Sequence, residues 1–514
     1  MKGKWAIWAA LILAAILCVW VSFRHFHSSH VALPEGCDQF GYLYQAEAAR
    51  DGMLLGEHTP RPFLEGLVAK LSVEIPNPRD YAFMIAPHAY HYEEVSGKVA
   101  NQYPPGTALL FSIFPKEYRQ IAYPAFMTLL LTSLLLVARR LDGWHLAAVG
   151  SLVILYAAAI MAVPGGRIFY FYVGSEAPVI PLLIAAGWLL RKSPLESLAL
   201  VSATVLFRIA DIWLLPLVAL PVFFEEYFLD GERRLPTLRD AALCAAKIVA
   251  VSLACGIVWL LLYNQAYLGG PFSTAYPYYD RALASGVRIV QNLAYYFYEH
   301  PINAIINAVA LAGVAILYCR KGRRWVIAWA GALVVWNYLF FVTHDVHAFY
   351  YPFASAYILF GLCLAGLDGL DRRFLPIATA FFALLAAVSL HAIWPTKKDR
   401  AAPAWGDFPR QVECYRNAFG KADVVWADAH SGTVEYAAGI PGFRPGWGSE
   451  DAAIVAIRWL AENGYRQAFY LDDSGMKPDV VLAVIRKSGM TPSIENNTDF
   501  GRIVWIEPVA KARQ

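Results

Sequence analysis

Long apolar runs alternate with short charged connections over most of the chain, and then the alternation stops. The runs fall at roughly 5–23, 119–138, 145–163, 177–190, 195–207, 212–228, 241–263, 302–319, 325–343, 352–367 and 374–394. The long ones reach the ~20 residues that a helix needs to cross a bilayer core. The shorter pair on either side of Arg208 predicts a tight helical hairpin or a thin, tilted pair. The pattern predicts a polytopic α-helical membrane protein of about eleven spans. The first run follows Lys2 and Lys4 and ends in Val-Ser-Phe-Arg-His-Phe. A cleaved signal peptide would instead end in a small-x-small site, so this run reads as a retained span.

Charge gives the orientation. With Lys2 and Lys4 cytoplasmic, every second connection is cytoplasmic too. Those connections carry Arg139-Arg140, Arg191-Lys192, Arg233-Arg234 with Arg239, Arg320-Lys321 with Arg323-Arg324, and Arg372-Arg373. Each obeys the positive-inside rule, which leaves the C-terminus on the outer face. The expected location is a bacterial inner membrane, with the N-terminus cytoplasmic and the C-terminal segment periplasmic.

The outer connections hold the chemistry. The first, residues 24–118, contains CDQFGYLYQAEAARDG (Cys37 to Gly52), which reads as a helix closed by a glycine. Asp38, Tyr42 and Gln45 fall at i, i+4 and i+7, so one face presents a carboxylate, a phenol and an amide. Asp38 either faces a wet cleft or caps the helix. The same connection continues with Pro60, Pro62, Pro76 and Pro78, then His88, His91, Glu93, Glu94 and Lys98, and ends at Pro104-Pro105-Gly106. His-x-x-His on a loop is a weak metal signal. Later outer segments bring Arg167, Tyr170, Tyr172, Ser175 and Glu176, then Arg208 and Asp211, then Tyr263 to Arg281 with Arg288 beyond. The last brings His344, Asp345, His347, Tyr350 and Tyr351. Arg208 and Asp211 either pair with each other, anchor a span end, or mark a site at membrane depth.

Composition agrees with this picture. The chain has 514 residues, 58% of them hydrophobic and 16% charged, far from a soluble globular balance. Sixteen Trp and 29 Tyr suit many membrane–water interfaces. A net charge of +3 gives no footprint for nucleic acid. Seven cysteines show no CxxC pair. Cys37 and Cys414 are the two in hydrophilic segments, and a disulfide between them is open.

From about Pro395 the character changes. ADVVWADA, QAFYLDD and RIVWIEP read as strands, while HSGTVEYAAG, EDAAIVAIRWLAENGY and KPDVVLAVIRKSG read as helices. The alternation predicts a soluble α/β domain over 395–514 with a mostly parallel sheet, following a membrane domain over 1–394. It has no GxGxxG fingerprint. His430-Ser431-Gly432 at a helix start either holds an anion or caps the helix.

In order and outer placement these segments resemble the GT-C superfamily of membrane glycosyltransferases, the kind that includes protein O-mannosyltransferases and the aminoarabinose transferase of lipid A. The parts that carry the resemblance are CDQFGYLYQAEAARDG, YPPGTALL, SEAPVIPLLIAAGWLL, VLFRIAD, LLYNQAYLGGPFSTAYP and HDVHAFYYPFASAYILFG, spread over residues 1–394. The resemblance implies a polyprenyl-phosphate-linked sugar as donor, a glycan, lipid or protein acceptor, and inversion at the anomeric carbon. It makes Asp38 the general base, with Glu176 as a second acid. Arg208 becomes the first choice for the donor phosphate, followed by Arg281, Arg288, His344 and Tyr350. Tyr42, Gln45, Tyr103 and Tyr351 are further substrate-binding groups. The resemblance fixes no cofactor; some members of the superfamily use a divalent metal, and Asp38 and His344-Asp345-His347 are the groups that could bind one. Two departures stand out. Asp38 is followed by Gln39 where some relatives have a second acid. Gln102 and Tyr103 stand where the aminoarabinose transferase type has a lysine.

Two other classes compete with the transferase. A transporter or flippase of lipid-linked saccharides predicts charges near mid-span and internal repeats, and the charges here sit at span ends. A non-catalytic scaffold on the same fold predicts that Asp38 has no cavity.

Overall fold

A computed structural model of the chain describes residues 36–51, 63–114, 175–228, 237–274, 286–319, 323–343, 351–367, 373, 408–473, 477–497 and 500–507. The apolar runs expected at 5–23, 119–138, 145–163 and 374–394 lie outside these residues. The chain divides into two compact units. The first comprises Met1–Arg24, Gln120–Leu262 and Tyr279–Ala402, and the second His25–Arg119, Tyr263–Tyr278 and Pro403–Gln514.

The second unit begins with helix α1 (Gly36–Arg50), helix α2 (Leu64–Glu74), the hairpin of β1 (Tyr90–Glu93) and β2 (Lys98–Asn101), and the short helix α3 (Gly106–Ser112). The hairpin is antiparallel, with Tyr90 opposite Asn101 and Glu93 opposite Lys98. Gly97 supplies a positive φ of 69° in its turn, which a residue with a Cβ would adopt only with strain. Gly41 lets α1 lie close to the loop: a Cβ there would stand 2.6 Å from the Ala89 Cβ and 2.8 Å from the Tyr103 ring.

The first unit is helical. Its described helices are α4 (Glu176–Leu189), α5 (Pro194–Thr204), α6 (Leu215–Phe228), α7 (Leu238–Tyr267), α8 (Gly286–Ala294), α9 (Ile302–Cys319), α10 (Arg324–Val342) and α11 (Phe353–Leu367). The last turn of α7 counts with the second unit. Every apolar run among the described residues has become a helix. Two of these helices, α7 and α10, are long and apolar enough to cross a membrane. A third candidate is a pair bent by 73°, Val287–Glu299 with Asn303–Cys319. Small residues set the packing, because apolar helices in lipid associate by close backbone approach. A Cβ on Gly187 of α4 would meet the Ile358 carbonyl oxygen at 1.9 Å, and one on Gly361 of α11 would meet the Ile184 carbonyl oxygen at 1.9 Å. Gly256 of α7 lies as close to the Ser202 carbonyl, also 1.9 Å from a built Cβ, within a π-helical turn at Leu253–Ile257. A 3₁₀ turn, Ile209–Leu214, separates α5 from α6.

The C-terminal part of the second unit runs α12 (Phe408–Phe419), β3 (Val424–Trp426), α13 (Ser431–Ala438), β4 (Gly442–Phe443), α14 (Glu450–Glu462), β5 (Gln467–Tyr470), α15 (Pro478–Lys487), β6 (Ser493–Asn497) and β7 (Gly501–Ile506). The three strands and three helices read from the sequence are all present. The sheet order is β4-β3-β5-β7-β6. It is mixed, whereas the alternation predicted a mostly parallel sheet: β3 runs parallel to β4 and β5, and β7 runs antiparallel to both β5 and β6. The three residues between β6 and β7 are too few for the crossover that a parallel pair needs.

The sheet does not stand alone. Phe40 of α1, Phe63, Leu64 and Leu67 at α2, and Tyr90 of β1 belong to the same apolar core as Trp426, Phe443, Leu460 and Phe469. Trp426 stacks on Phe469 at 5.2 Å and meets Phe443 edge-on at 5.1 Å. A Cβ on Gly66 of α2 would stand 2.8 Å from the Trp459 ring of α14. The segment over residues 36–114 and the C-terminal sheet are thus two halves of one hydrophobic core.

Candidate functional site

Asp38 sits in the first turn of α1, and its side chain lies outside the described residues. The face that the i, i+4, i+7 spacing assigned to it is packed. Tyr42 is 2% exposed and Gln45 0%. The Tyr42 ring lies 4.7 Å from that of Tyr103. Gln45 donates from Nε2 to the Tyr263 hydroxyl at 3.0 Å, and that hydroxyl donates to the Tyr103 carbonyl at 3.2 Å. Asn101 Nδ2 donates to the Gly41 carbonyl at 3.0 Å. On the other flank Phe40 lies between Tyr44 and Tyr90, at 5.2 and 5.9 Å. Tyr436 of α13 donates to Glu47 Oε1 at 2.6 Å. These contacts fix the rotation and height of the helix that carries Asp38.

Arg444 holds the connection from below. It is fully buried, and Nε donates to the carbonyls of Phe83 and Ala86 at 3.1 and 3.2 Å, with Nη2 donating to Tyr90 O at 2.6 Å. The guanidinium lies over the rings of Phe83 and Trp447, at 5.3 and 5.1 Å. A planar cation with several donors suits a cluster of loop carbonyls that water cannot reach. His88, read from sequence as part of a possible metal cluster, is a stitch instead. Its amide donates to Ser431 Oγ at 3.1 Å and its Nδ1 to the Ala429 carbonyl at 3.3 Å. Burial, and then the nearby Arg444 charge, push its pKa down to about 3, so the imidazole is neutral. His91 and Glu93 lie 3.5 Å apart. Among the described residues no group of three His, Cys, Asp or Glu is placed to hold a metal ion.

Arg208 belongs to the first unit, Asp38 to the second. Arg208 precedes the 3₁₀ turn with extended backbone (φ −145°, ψ 105°), and it is 7% exposed. Its guanidinium lies 4.9 Å from the ring of Tyr351 and 5.6 Å from that of Phe341, and Nη2 is 3.4 Å from the Tyr351 carbonyl. Asp211, three residues on, is 2% exposed. The turn is clamped to α10 by two indoles. Trp213 and Trp336 stack at 4.5 Å, and each donates its Nε1 to the other's carbonyl, at 3.1 and 2.7 Å. The segment bearing Tyr351 is held by amides the sequence reading passed over. Asn307 and Asn337 both donate to the Pro352 carbonyl, at 3.2 and 2.9 Å, and Ser355 Oγ donates to Asn307 Oδ1 at 2.8 Å. Asparagines inside apolar runs were the available signal, since an amide in a bilayer needs a partner.

The other expected residues divide simply. Glu176 is the first residue of α4, with its side chain outside the described residues, and Arg288 is exposed on α8. Arg281, His344, Tyr350 and the His344-Asp345-His347 group lie outside them. So does the side chain of Cys37, and with it the question of a Cys37–Cys414 bond. At His430-Ser431-Gly432, read from sequence as an anion site or a helix cap, the His430 side chain caps no amide of the helix, and the Asp473 carboxylate accepts from the amides of Ala429 and His430, at 2.9 and 3.3 Å.

No family model matches the chain, and no curated protein matches it. Solved structures do. The crystal structure of ArnT from Cupriavidus metallidurans bound to undecaprenyl phosphate matches with a TM-score of 0.55 at 14% identity, covering 98% of both chains. The apo state of the same protein matches with a TM-score of 0.51, again at 14% identity over 98% of both chains. Along nearly its whole length the chain therefore has the fold of these ArnT structures.

Proposed function

We propose that the chain is a GT-C glycosyltransferase that moves a sugar from a polyprenyl-phosphate donor to an acceptor hydroxyl at the outer face of a bacterial inner membrane. The observation that carries this reading is the match over 98% of both chains to a structure that holds undecaprenyl phosphate. The guanidinium of Arg208, buried beside two aromatic rings, supplies a fitting phosphate partner in this chain. A fork of two charge-assisted hydrogen bonds neutralises the phosphate as it leaves with the glycosidic electrons. Asp38, at the start of a helix braced on both flanks, takes the proton from the acceptor hydroxyl. Attack from the face opposite the phosphate then inverts the anomeric carbon. Tyr42 and Gln45 act in this scheme by holding α1, Tyr103 by backing it, and Tyr351 by holding Arg208. Glu176 is retained as a second acid, and about eleven spans with a periplasmic C-terminal part complete the reading.

The test is direct binding of undecaprenyl phosphate to the purified chain in detergent, followed as a thermal shift. Wild type should gain several degrees. Arg208→Ala should lose at least about tenfold in affinity, the loss expected for one charge-assisted pair, and Arg208→Lys should recover part of it. No shift with wild type, or an unchanged affinity in Arg208→Ala, would rule out the phosphate role.

A further inference from the structure

The residues that follow α4 and those that open α10 meet at one hollow within the first unit. It is shallow, about 390 Å³ with the solvent at its mouth included, and Arg191 and Arg323 line it together with Tyr318, Trp325, Val326 and Leu362. Its place along the helices is set by the sequence. Arg191 comes just after α4, and Arg323 directly precedes α10, a helix long and apolar enough to cross a membrane. The hollow therefore belongs at a membrane–water boundary. The positive-inside pattern of Arg191-Lys192 and Arg323-Arg324 assigns that boundary to the cytoplasmic leaflet.

Its walls are fixed by hydrogen bonds between helices. Pro221 lies inside α6 and has no N–H to give the carbonyl four residues back, that of Leu217. Trp329 of α10 donates its Nε1 to this carbonyl instead, at 2.8 Å. The Tyr318 hydroxyl of α9 donates to the Leu362 carbonyl of α11 at 3.0 Å. Leu190, Val326 and Leu362 are buried, while Trp325 is exposed at the rim, where indoles settle at a bilayer surface.

The two arginines are what this packing leaves unsatisfied. Both are half-buried, and among the described residues neither guanidinium has a carboxylate or a hydrogen-bond acceptor. No acid stands among the described lining residues. Glu196, in the first turn of α5, is exposed and outside the lining. Like charges opening on a shared hollow repel each other, and an anion between them reverses the sign of that interaction. A guanidinium forks onto phosphate oxygens with two charge-assisted hydrogen bonds. A soluble anion would use the charge alone. A phosphodiester that carries acyl chains uses the charge and the apolar wall below it, as anionic head groups do in basic pockets between membrane helices.

We propose that the hollow at Arg191 and Arg323 binds the phosphate of an anionic glycerophospholipid of the cytoplasmic leaflet, with its acyl chains against Trp325 and the apolar wall. The site rests on the chain being a membrane protein and is independent of the transferase reading.

The test places the full-length chain in phosphatidylcholine nanodiscs doped with phosphatidylglycerol that carries a photoactivatable diazirine beside its head group. Mass spectrometry should map the cross-link to residues 188–194 and 323–329. Unlabelled phosphatidylglycerol should compete the label away, and added phosphatidylcholine should not. The double variant Arg191→Gln with Arg323→Gln should lower labelling by at least about tenfold, as for loss of charge-assisted hydrogen bonds. Arg324→Gln removes an adjacent exposed charge that does not line the hollow, and it should leave labelling unchanged, as should Arg208→Ala. Equal labelling of the double variant and wild type overturns the proposal, and so does a cross-link that maps elsewhere. Equal competition by phosphatidylcholine, or an equal fall in Arg324→Gln, overturns it as non-specific attraction. Suppression by glycerol 3-phosphate overturns it as a small-anion site. If the double variant fails to fold, the competition arms on wild type decide. A chain that takes the label here but consumes no polyprenyl-linked donor keeps this site and loses the transferase reading.

Discussion

Arg444 shows what a single residue can hide. It lies in FRPGW, which the sequence does not single out, and it is fully buried and gathers three carbonyls of the first connection. Nothing local signals this, because the partners lie more than 350 positions away in sequence. The i, i+4, i+7 spacing of Asp38, Tyr42 and Gln45 was legible; that Tyr103 and Tyr263 cover the last two was not, for the same reason. Arg444→Lys keeps the charge but loses the fork, so buried carbonyls lose their donors and stability should fall by about 3 kcal/mol, read as a lower thermal midpoint. An unchanged midpoint would show that the loop carbonyls have other partners. His88 makes a pH prediction. Its folded pKa lies below its unfolded value near 6.5, at about 3, so its contribution is complete above pH 6.5 and is lost as pH falls toward 3. Asp428 slopes the other way: burial raises it to about 6, so its contribution is present at low pH and is lost as pH rises through that value. His88→Gln should therefore flatten the acid side of the stability curve while leaving the Asp428 limb. Identical curves for variant and wild type would contradict a buried neutral imidazole.

At the scale of elements, hydrophobic periodicity did most of the work. Every described apolar run is a helix, and the C-terminal strands with strong β-branched or aromatic content were all found. Among the C-terminal strands what escaped were β4, only two residues long, and β6, Ser493–Asn497, whose polar sequence and exposed side chains give no apolar signal; α12, α2 and the β1–β2 hairpin were not read either. The mixed sheet follows from the β6–β7 hairpin. Helix crossings were equally invisible, since a glycine in a membrane helix does not name its partner. The structure does. Gly187→Ala or Gly361→Ala should force α4 and α11 apart, because the added carbon overlaps a backbone carbonyl that cannot move aside. Gly331→Ala in α10 has nothing within 4 Å of the new carbon and should stabilise by about 0.5–1 kcal/mol through helix propensity. Detergent-solubilised yield and thermal midpoint compare the three. Equal behaviour would mean that the crossing is looser than described.

For the molecule as a whole, the sequence placed the apolar helices among the described residues and the C-terminal strands and helices, but it drew its line by composition at residue 394. Packing joins residues 25–119 with 403–514, because apolar side chains of the first connection complete the core under the sheet. The acid-bearing helix is thereby built into the C-terminal part. The central claim is that this acid activates an acceptor against a polyprenyl-linked sugar. Its most direct test is consumption of radiolabelled undecaprenyl-phosphate sugars by the purified full-length chain in nanodiscs, with Asp38→Asn beside wild type. The account predicts turnover by wild type, and a loss of roughly 10²–10⁴ in rate for the variant with binding of undecaprenyl phosphate retained. Turnover of Asp38→Asn at the wild-type rate would contradict it.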